Sequence, residues 1–330
     1  MGFKIKVVFL SFIFSGIIFI QQVACADKEA LKKISFIPMW GPQAQFAGYY
    51  LAYEKGIYQK YGLDVNILLG GPDFNPAEIL KDKKADFCVM WLSSAIQRRS
   101  EGLPLVNIAQ ILKRSALILV ARKSSGITNP QDMQGKKVSL WEGDLRLQPK
   151  AFFSKYKVNP EIVTQSYTAN LFLAGAVEVV SAMWYNEYHT VINCGLNAEE
   201  LSTFFFSDYD LNFPEDGIYA LEETLQKDPQ AAAAFVQASL AGWQYAFVHP
   251  DEALEIVLKY MRQANLPANK VHQKWMLARM KDLILPSENL LTGALNQAEY
   301  EKVAGELLKQ GLIKNIPPFA EFYQAINKDD

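Results

Sequence analysis

The chain has 330 residues, of which 50% are hydrophobic and 21% charged, and its formal net charge is −2. Because single hydrophobic cores stop growing near roughly 250 to 300 residues, this length favours two lobes over one core. The charges form no basic stripe, so we do not expect nucleic acid as a partner.

The first 26 residues have the order of a secretory signal peptide. Lys4 and Lys6 precede an apolar run at 7–20, and Ala24-Cys25-Ala26 offers a small-residue cleavage site. The run is shorter than the ~20 residues that a membrane-spanning helix needs. We therefore expect cleavage after Ala26 and a mature protein in the periplasm or at the extracytoplasmic face, with an uncleaved membrane anchor as the weaker alternative.

Cys25 leaves a lipid anchor open as a second alternative. A cysteine at this place can become a lipidated N-terminus, but lipoprotein signals usually carry Leu three positions earlier, where this chain has Gln22. The other cysteines, Cys88 and Cys194, indicate neither a disulfide framework nor a metal site. Cys88 lies in an apolar run and is expected in the core. We expect no metal and no cofactor.

From residue 34 onwards, short apolar runs alternate with amphipathic ones. The runs typical of strands are at 34–38, 64–69, 86–91, 105–112 and 117–121. The segments typical of helices are at 43–55, 76–83 and 93–100. Strands that alternate with helices predict a mainly parallel sheet with helices on both faces.

A second set of elements follows a polar, glycine-bearing connector at 123–137. Strands are predicted at 138–141, 162–165 and 178–184, and helices at 148–155 and 171–175. From residue 221 the pattern is almost entirely helical, with amphipathic segments at 229–248, 250–263, 270–281, 297–309 and 320–326. So long a helical tail cannot form a third sheet domain, and we expect it to pack back on the first lobe.

These patterns predict an α/β chain with the bilobal fold of periplasmic binding proteins, joined by crossovers near Ala121 and Asp216. The predicted boundaries are a signal peptide at 1–26, the first lobe at 27–121 and 217–330, and the second lobe at 122–216. Such folds bind ligands outside the carboxyl ends of parallel strands, in the cleft between the lobes.

The first candidate ligand contacts follow the first predicted strand. Trp40 offers a flat surface, and Gln43 and Gln45 offer amides at the start of a helix with free backbone N–H groups. This set suits a planar, polar, nearly neutral molecule. The same helix is expected to bury an aromatic stripe made of Phe46, Tyr50 and Tyr53.

Two further strand ends in the first lobe carry candidates. Gly71 and Pro72, in the stretch GGP, follow the second strand. Trp91, Ser93 and Ser94, in the stretch WLSS, follow the third. One of the two serines is also expected to cap the next helix.

In the second lobe the informative stretch is SAMWYNEYH, residues 181–189. It places a carboxylate among aromatic residues at the end of a strand, and its candidates are Trp184, Tyr185, Asn186, Glu187 and Tyr188. A carboxylate accepts two N–H bonds side by side, which matches the edge of an aminopyrimidine. The alternative for Glu187 is to cap the next helix or to pair with a surface lysine.

The stretch FPEDGIYA, residues 213–220, places Glu215 and Asp216 where the chain returns to the first lobe. We expect Asp216 and Gly217 to form a hinge turn, with a ligand contact from Asp216 as the second interpretation.

Several stretches occur in one order along residues 34–250: WGPQAQFAGYYLAYEKGIYQKYGLDV, GGP, ADFCVMWLSSAIQRRSEGLPLVNIAQIL, DMQGKKVSLW, WYNEY and EDGIYA. In them the chain resembles the thiamine-pyrimidine-precursor binding proteins, which are solute receptors of ABC importers in the type II periplasmic binding class. The resemblance implies the type II periplasmic binding fold. It also implies a monomer that delivers a hydroxymethylpyrimidine or formylaminopyrimidine to an ABC permease. Relatives in this class also bind riboflavin, sulfonates or nitrate.

The chain departs from this family at one position, and from the family's enzymes more widely. The pyrimidine receptors commonly have a histidine where this chain has Phe46. The enzymes consume a histidine of their own and carry a cysteine-rich iron motif, but this chain has only three histidines and no cysteine run. It also lacks a phosphate loop and the G-x-S-x-G and H-E-x-x-H motifs. We therefore expect a binding protein, with a sensory subunit for a membrane signalling protein as the alternative.

Overall fold

A computed structural model describes residues 1–2, 30–285 and 291–325. The signal peptide predicted at 1–26, with Cys25, lies outside the described residues apart from its first two. The elements below belong to one compact unit that begins at Leu31. Within the described ranges, no helix combines the length and the apolar character needed to cross a membrane.

The strands of the described residues form two sheets. Their bounds are β1 Lys32–Ile37, β2 Leu63–Ile67, β3 Phe87–Trp91, β4 Leu105–Gln110, β5 Leu117–Arg122, β6 Lys137–Leu140, β7 Glu161–Thr164, β8 Val179–Met183, β9 Leu201–Phe205 and β10 Asp216–Leu221. The first sheet has the order β2-β1-β3-β10-β4 and the second the order β7-β6-β8-β5-β9.

Each sheet is mainly parallel with one reversed strand. In the first sheet β1 runs parallel to β2 and β3, whereas β10 is antiparallel to β3 and β4. In the second, β6 runs parallel to β7 and β8, whereas β5 is antiparallel to β8 and β9. The reversed strands are those that enter a sheet after the chain has crossed from the other one. The predicted fold class is confirmed.

Helices cover both sheets. Their bounds are α1 Ala47–Glu54, α2 Ile57–Lys60, α3 Pro76–Lys81, α4 Leu92–Ser100, α5 Leu147–Tyr156, α6 Asn170–Leu173, α7 Glu187–Asn193, α8 Glu222–Lys227, α9 Pro229–Val248, α10 Pro250–Gln263, α11 Lys270–Ile284, α12 Gln297–Lys309 and α13 Phe319–Phe322. The side chains of Asp228, Asn269 and Asn296 accept backbone N–H bonds at the starts of α9, α11 and α12. These caps explain why the pattern located the starts of the three helices correctly.

Helices α9 and α10 of the C-terminal tail pack on the first-sheet half, whereas α11 and α12 also contact α7 and α5 of the other half. Helix α9 lies against α1, and Phe235 of α9 stacks on Tyr58 and Phe87 with ring centroids 5.4 and 4.5 Å away. The two helices approach closely, since a Cβ atom on Gly48 would lie 2.3 Å from the Trp243 ring. The tail thus closes the core of the first-sheet half.

The structure corrects several predictions. Strands β9 and β10 and helix α7 were not predicted. Asp216 and Gly217 lie in strand β10 between β3 and β4 and do not form a hinge turn, because pairing on both sides extends the backbone there. The helix predicted from residue 43 begins with a 3-10 turn, Ala44–Phe46. Phe46 and Tyr50 are buried as expected, but Tyr53 is 46% exposed. The lobe boundaries at 121 and 216 stay predictions.

Candidate ligand-binding cleft

A cavity of about 260 Å³ lies where the carboxyl ends of strands from both sheets meet. The first-sheet half contributes the wall Met39, Trp40, Gln43, Gln45 and Trp91. The second-sheet half contributes Trp141, Leu145, Tyr167, Met183 and the run Tyr185, Asn186 and Glu187. Aromatic and aliphatic surface with a few converging polar groups is typical of a small-molecule site.

The glutamines of the first wall are held in a hydrogen-bond chain. The Gln43 Nε2 donates to Gln45 Oε1 at 2.6 Å, and the Gln45 Nε2 donates to Asp216 Oδ2 at 2.8 Å. Gln45 is 4% exposed, and Ala44 between the two glutamines donates its N–H to Gln273 Oε1 at 2.7 Å. The 3-10 turn therefore presents Gln43 to the cavity in one orientation.

Glu187 is the acidic group of the second wall. Its Oε2 accepts the Met183 N–H at 3.0 Å, and its Oε1 accepts a bond from Asn186 Nδ2 at 2.7 Å. Glu187 is the first residue of α7, and it forms no ion pair with any described residue, so no surface lysine pairs with it there. Because each carboxylate oxygen has two lone pairs, a carboxylate held in this way can still accept a bond from a ligand.

Burial raises the pKa of Glu187 to about 7, while the Met183 N–H and the Asn186 amide oppose the rise. Near neutral pH the group is therefore present in both forms. The ionised form accepts two N–H bonds, and the protonated form can instead donate its O–H to a ring nitrogen.

Aromatic rings face each other across the mouth of the cavity. The Trp40 and Tyr167 ring centroids are 5.6 Å apart with an interplanar angle of 52°. Tyr167 is 71% exposed, whereas Trp40 packs partly against the core. The two rings, from opposite halves, form surfaces on which a planar ligand can stack.

Two carboxyl groups lie behind the cavity at the crossover between the sheets. Burial, and next the charge of Asp216, raises the pKa of Glu215 to about 8, and burial raises the pKa of Asp216 to about 7. The Glu215 Oε1 accepts the N–H groups of Ala116 and Leu117 at 2.7 and 3.1 Å. Glu215 thus anchors the entry into β5.

Of the residues predicted from the sequence, the cavity brings together Trp40, Gln43, Gln45, Trp91, Tyr185, Asn186 and Glu187. The other predicted residues do not line it; they are Gly71, Pro72, Ser93, Ser94, Trp184, Tyr188 and Asp216. Asp216 is buried behind the cavity wall, where its carboxylate accepts the Gln45 amide. Trp184 and Tyr188 lie against α11 instead, since Arg279 packs on the Trp184 ring and Trp275 stacks on Tyr188.

The two serines of WLSS lie beside the cavity. Ser94 donates to the Asp144 carboxylate and so joins α4 to the second-sheet half, at the edge of a neighbouring cavity of about 260 Å³. Ser93 faces a small cavity of about 20 Å³ near Glu215. Neither serine caps α4, because β3 runs directly into the helix and Trp91 is the residue before its first turn. That prediction was wrong.

The sequence analysis missed five residues of the cavity: Met39, Trp141, Leu145, Tyr167 and Met183. Trp141 directly follows β6, and Tyr167 follows β7 by three residues. Trp141 and Tyr167 therefore stand at the carboxyl ends of parallel strands, where ligands bind in such folds. The same rule that predicted the other candidates also covers these two residues.

Several known proteins have related sequences. The family model described as NMT1/THI5 like matches residues 43–253. The formylaminopyrimidine-binding protein of Halalkalibacterium halodurans is 24% identical over 255 residues, which cover 75% of this chain and 76% of that protein. A 4-amino-5-hydroxymethyl-2-methylpyrimidine phosphate synthase of Saccharomyces cerevisiae, THI5, is 26% identical over only 133 residues, 40% of this chain and 39% of the enzyme.

A solved structure extends the comparison to the fold. The periplasmic aliphatic sulphonate binding protein SsuA of Escherichia coli superposes with a TM-score of 0.69 at 14% identity, over 90% of this chain and 93% of that one. The likeness shows the fold of a periplasmic binding protein. Since the family model spans well over half of the sequence, the chain belongs to the NMT1/THI5-like family.

Proposed function

We propose that the protein is an extracytoplasmic solute-binding protein that closes its two lobes over an aminopyrimidine, such as a formylaminopyrimidine or hydroxymethylpyrimidine, and delivers it to an ABC permease. The observation that carries the proposal is the pairing of Glu187 and Asn186 on one wall with Trp40 and Gln43 on the other. A carboxylate beside an amide suits the amino edge of the ring, and the tryptophan suits its face.

The relatives support binding over catalysis. The formylaminopyrimidine-binding protein matches across three quarters of both chains, whereas the yeast synthase matches over less than half of either. The candidate cavity contains no histidine or cysteine, which are the groups that the resemblance to the enzymes would require. We therefore assign the protein no reaction of its own.

Closure would act as a population shift. A ligand that touches both walls stabilises the closed arrangement by its higher affinity for that state. The hydrogen bond between Ser94 and Asp144 also joins the two halves in this structure. A monomer is sufficient for this mechanism, since both walls come from one chain.

The test is titration calorimetry with formylaminopyrimidine, hydroxymethylpyrimidine, riboflavin and an aliphatic sulphonate, with small-angle scattering on each mixture. We expect heat of binding and a smaller radius of gyration with a pyrimidine, and neither with the sulphonate. Binding of riboflavin or sulphonate without pyrimidine binding would replace the proposed ligand class.

The extracytoplasmic location has its own test. If the signal peptide is cleaved as we propose, the intact mass of the exported protein begins at Asp27, and Cys25→Ser does not change its fractionation. Recovery of the protein in membranes, and its release by Cys25→Ser, would show instead that Cys25 is lipidated.

A further inference from the structure

Helix α11 presents one face to the second-sheet half. His272, Trp275 and Arg279 lie on that face, since they are three and four residues apart. The Trp275 Nε1 donates to the Trp184 carbonyl oxygen at 3.0 Å. The Arg279 guanidinium carbon lies 4.7 Å from the ring centroids of both Trp184 and Trp275. The face is thus docked on the segment that leads into α7.

The same helix is tied to the first-sheet half. Gln273, next to His272, accepts the Ala44 N–H within the turn that presents Gln43 to the cavity. Helix α11 also packs against α10 and that turn. It therefore links the two walls of the candidate site from behind.

A chain of hydrogen bonds runs from α11 to the cavity wall. The His189 Nδ1 and His272 Nδ1 are 2.9 Å apart, and the His272 Nε2 is 2.7 Å from Asn186 Oδ1. The Asn186 Nδ2 then donates to Glu187 Oε1 at 2.7 Å. Asn186 and Glu187, at the end of this chain, line the cavity, whereas the two histidines do not.

The donors and acceptors of these four side chains set the direction of each hydrogen bond. An ionised Glu187 only accepts, so Asn186 must turn its amide nitrogen to Glu187 and its amide oxygen to His272. His272 then carries its proton on Nε2 and accepts on Nδ1 from His189. As placed, the Asn193 Nδ2 lies 3.0 Å from His189 Nδ1 and 3.5 Å from His189 Nε2. Because His189 Nδ1 carries the proton in this arrangement, the Asn193 amide must turn its oxygen to Nδ1.

The surroundings of both histidines favour the neutral form. Burial lowers the pKa of His189, and burial followed by the charge of His189 lowers the pKa of His272. In these hydrogen bonds His272 must donate from one ring nitrogen and accept at the other, which only a neutral imidazole can do.

We propose that His272 is a positioning residue of the ligand site: from the docked face of α11 it fixes the Asn186 amide, and through it the Glu187 carboxylate, in the orientation that accepts a ligand. Without the His272 bond the Asn186 amide can rotate, and Glu187 loses one of its two fixed donors. This inference rests on the proposed function, because it assigns a support to the same site.

The experiment compares His272→Ala, His272→Gln and His249→Ala by calorimetry with formylaminopyrimidine. A glutamine amide can donate to Asn186 Oδ1 as Nε2 does, whereas alanine cannot. His249 is the matched control, because it is exposed and stacks only on Tyr245. We expect affinity to fall about ten-fold in His272→Ala, to stay within about three-fold in His272→Gln, and to be unchanged in His249→Ala.

Equal losses in His272→Gln and His272→Ala, or no loss in either, would overturn the proposal. A second measurement needs no ligand and so separates this inference from the proposed function. Two-bond ¹H–¹⁵N spectra of the wild-type protein near pH 8.5, where Glu187 is ionised, should show His272 as the neutral tautomer with its proton on Nε2. The opposite tautomer, or a charged ring, would contradict the positioning role whatever the protein binds.

Discussion

Glu187 lines the cavity, and both of its carboxylate oxygens already accept bonds from the protein. The Met183 N–H and the Asn186 amide hold the carboxylate in one plane. From the sequence, the Glu187 carboxylate is expected to accept two N–H bonds from a ligand; in the structure it already accepts bonds from Met183 and Asn186.

Glu187→Gln keeps the shape but replaces an acceptor oxygen with a donor. We expect affinity for formylaminopyrimidine to fall about ten- to a hundred-fold, because a hydrogen bond to a charged group contributes roughly 1.5 to 3 kcal/mol. The new NH₂ group also faces a protein donor, so the ligand-free protein should lose stability too. Glu199→Gln, at an exposed position, is the control for calorimetry and thermal melting. Full affinity in Glu187→Gln would remove Glu187 from the site.

The aromatic pair gives a prediction that separates binding from stability. Tyr167 is largely exposed and Trp40 packs partly against the core. Tyr167→Ala should therefore weaken ligand binding, with a change in the free energy of unfolding within about 0.5 kcal/mol. Trp40→Ala should weaken binding more and also lower the melting temperature. A Tyr167→Ala protein with unchanged affinity would show that the Tyr167 ring does not cover the ligand.

At the scale of elements, the contact between α1 and α9 anchors the wall that carries Gln43. Gly48 and Gly242 allow it, since a Cβ atom on Gly242 would lie 2.2 Å from the Gly48 carbonyl oxygen. Side chains at these positions would push α1 and α9 apart. Close packing of the tail thus supports the site without touching the ligand.

Gly48→Ala should destabilise the protein by about 1 to 3 kcal/mol, because the new methyl group overlaps the Trp243 ring. The matched control is Gly305→Ala in α12, where an added Cβ has no atom within 4 Å. There the higher helix propensity of alanine should raise stability by about 0.5 to 1 kcal/mol. Denaturant unfolding measures both. If the two variants shift stability in the same direction, the close approach of α1 and α9 is not as described.

At the scale of the whole molecule, Glu215 and Asp216 are buried and Glu187 is half-buried near the junction of the two sheets. The pKa values of Glu187, Glu215 and Asp216 are raised to about 7, 8 and 7. In the unfolded chain these carboxyls ionise near pH 4, so between that pH and the raised values the folded state binds more protons. The free energy of unfolding therefore falls as pH rises through this interval.

We expect the melting temperature of the ligand-free protein to fall between pH 6.5 and pH 8. Each of the three carboxyls lowers the free energy of unfolding by up to about 1.4 kcal/mol per pH unit. The lowered pKa values of His189 and His272 act in the opposite direction near pH 6.5, where the unfolded chain still binds part of the histidine protons, and this opposition fades towards pH 8. Glu215→Gln should flatten the fall of stability with pH. Thermal melts in buffers of constant ionic strength measure the effect, and a stability that is flat or rises over this range would contradict it.

The sequence by itself determined the fold class and most of the elements. Alternating apolar and amphipathic runs predict a mainly parallel sheet with helices, and the Pro and Asn or Asp residues at helix starts located the long C-terminal helices closely. Local patterns suffice there because each element carries its own periodicity and its own caps. Strand ends also predicted Trp40, Gln43, Asn186 and Glu187 as neighbours in one cleft.

Only the tertiary structure decided the remaining strand and which predicted residues line the cavity. Strand β10 starts with the charged Asp216, and its extended form depends on pairing with β3 and β4, which are far away in sequence. Asp216 therefore lies behind Gln45, and Trp184 and Tyr188 turn to α11, because packing selects which side of a backbone meets the cavity. His272 is 86 residues from Asn186. No local pattern relates the two, so their hydrogen bond, which supports the site, follows only from the way that α11 docks on α7.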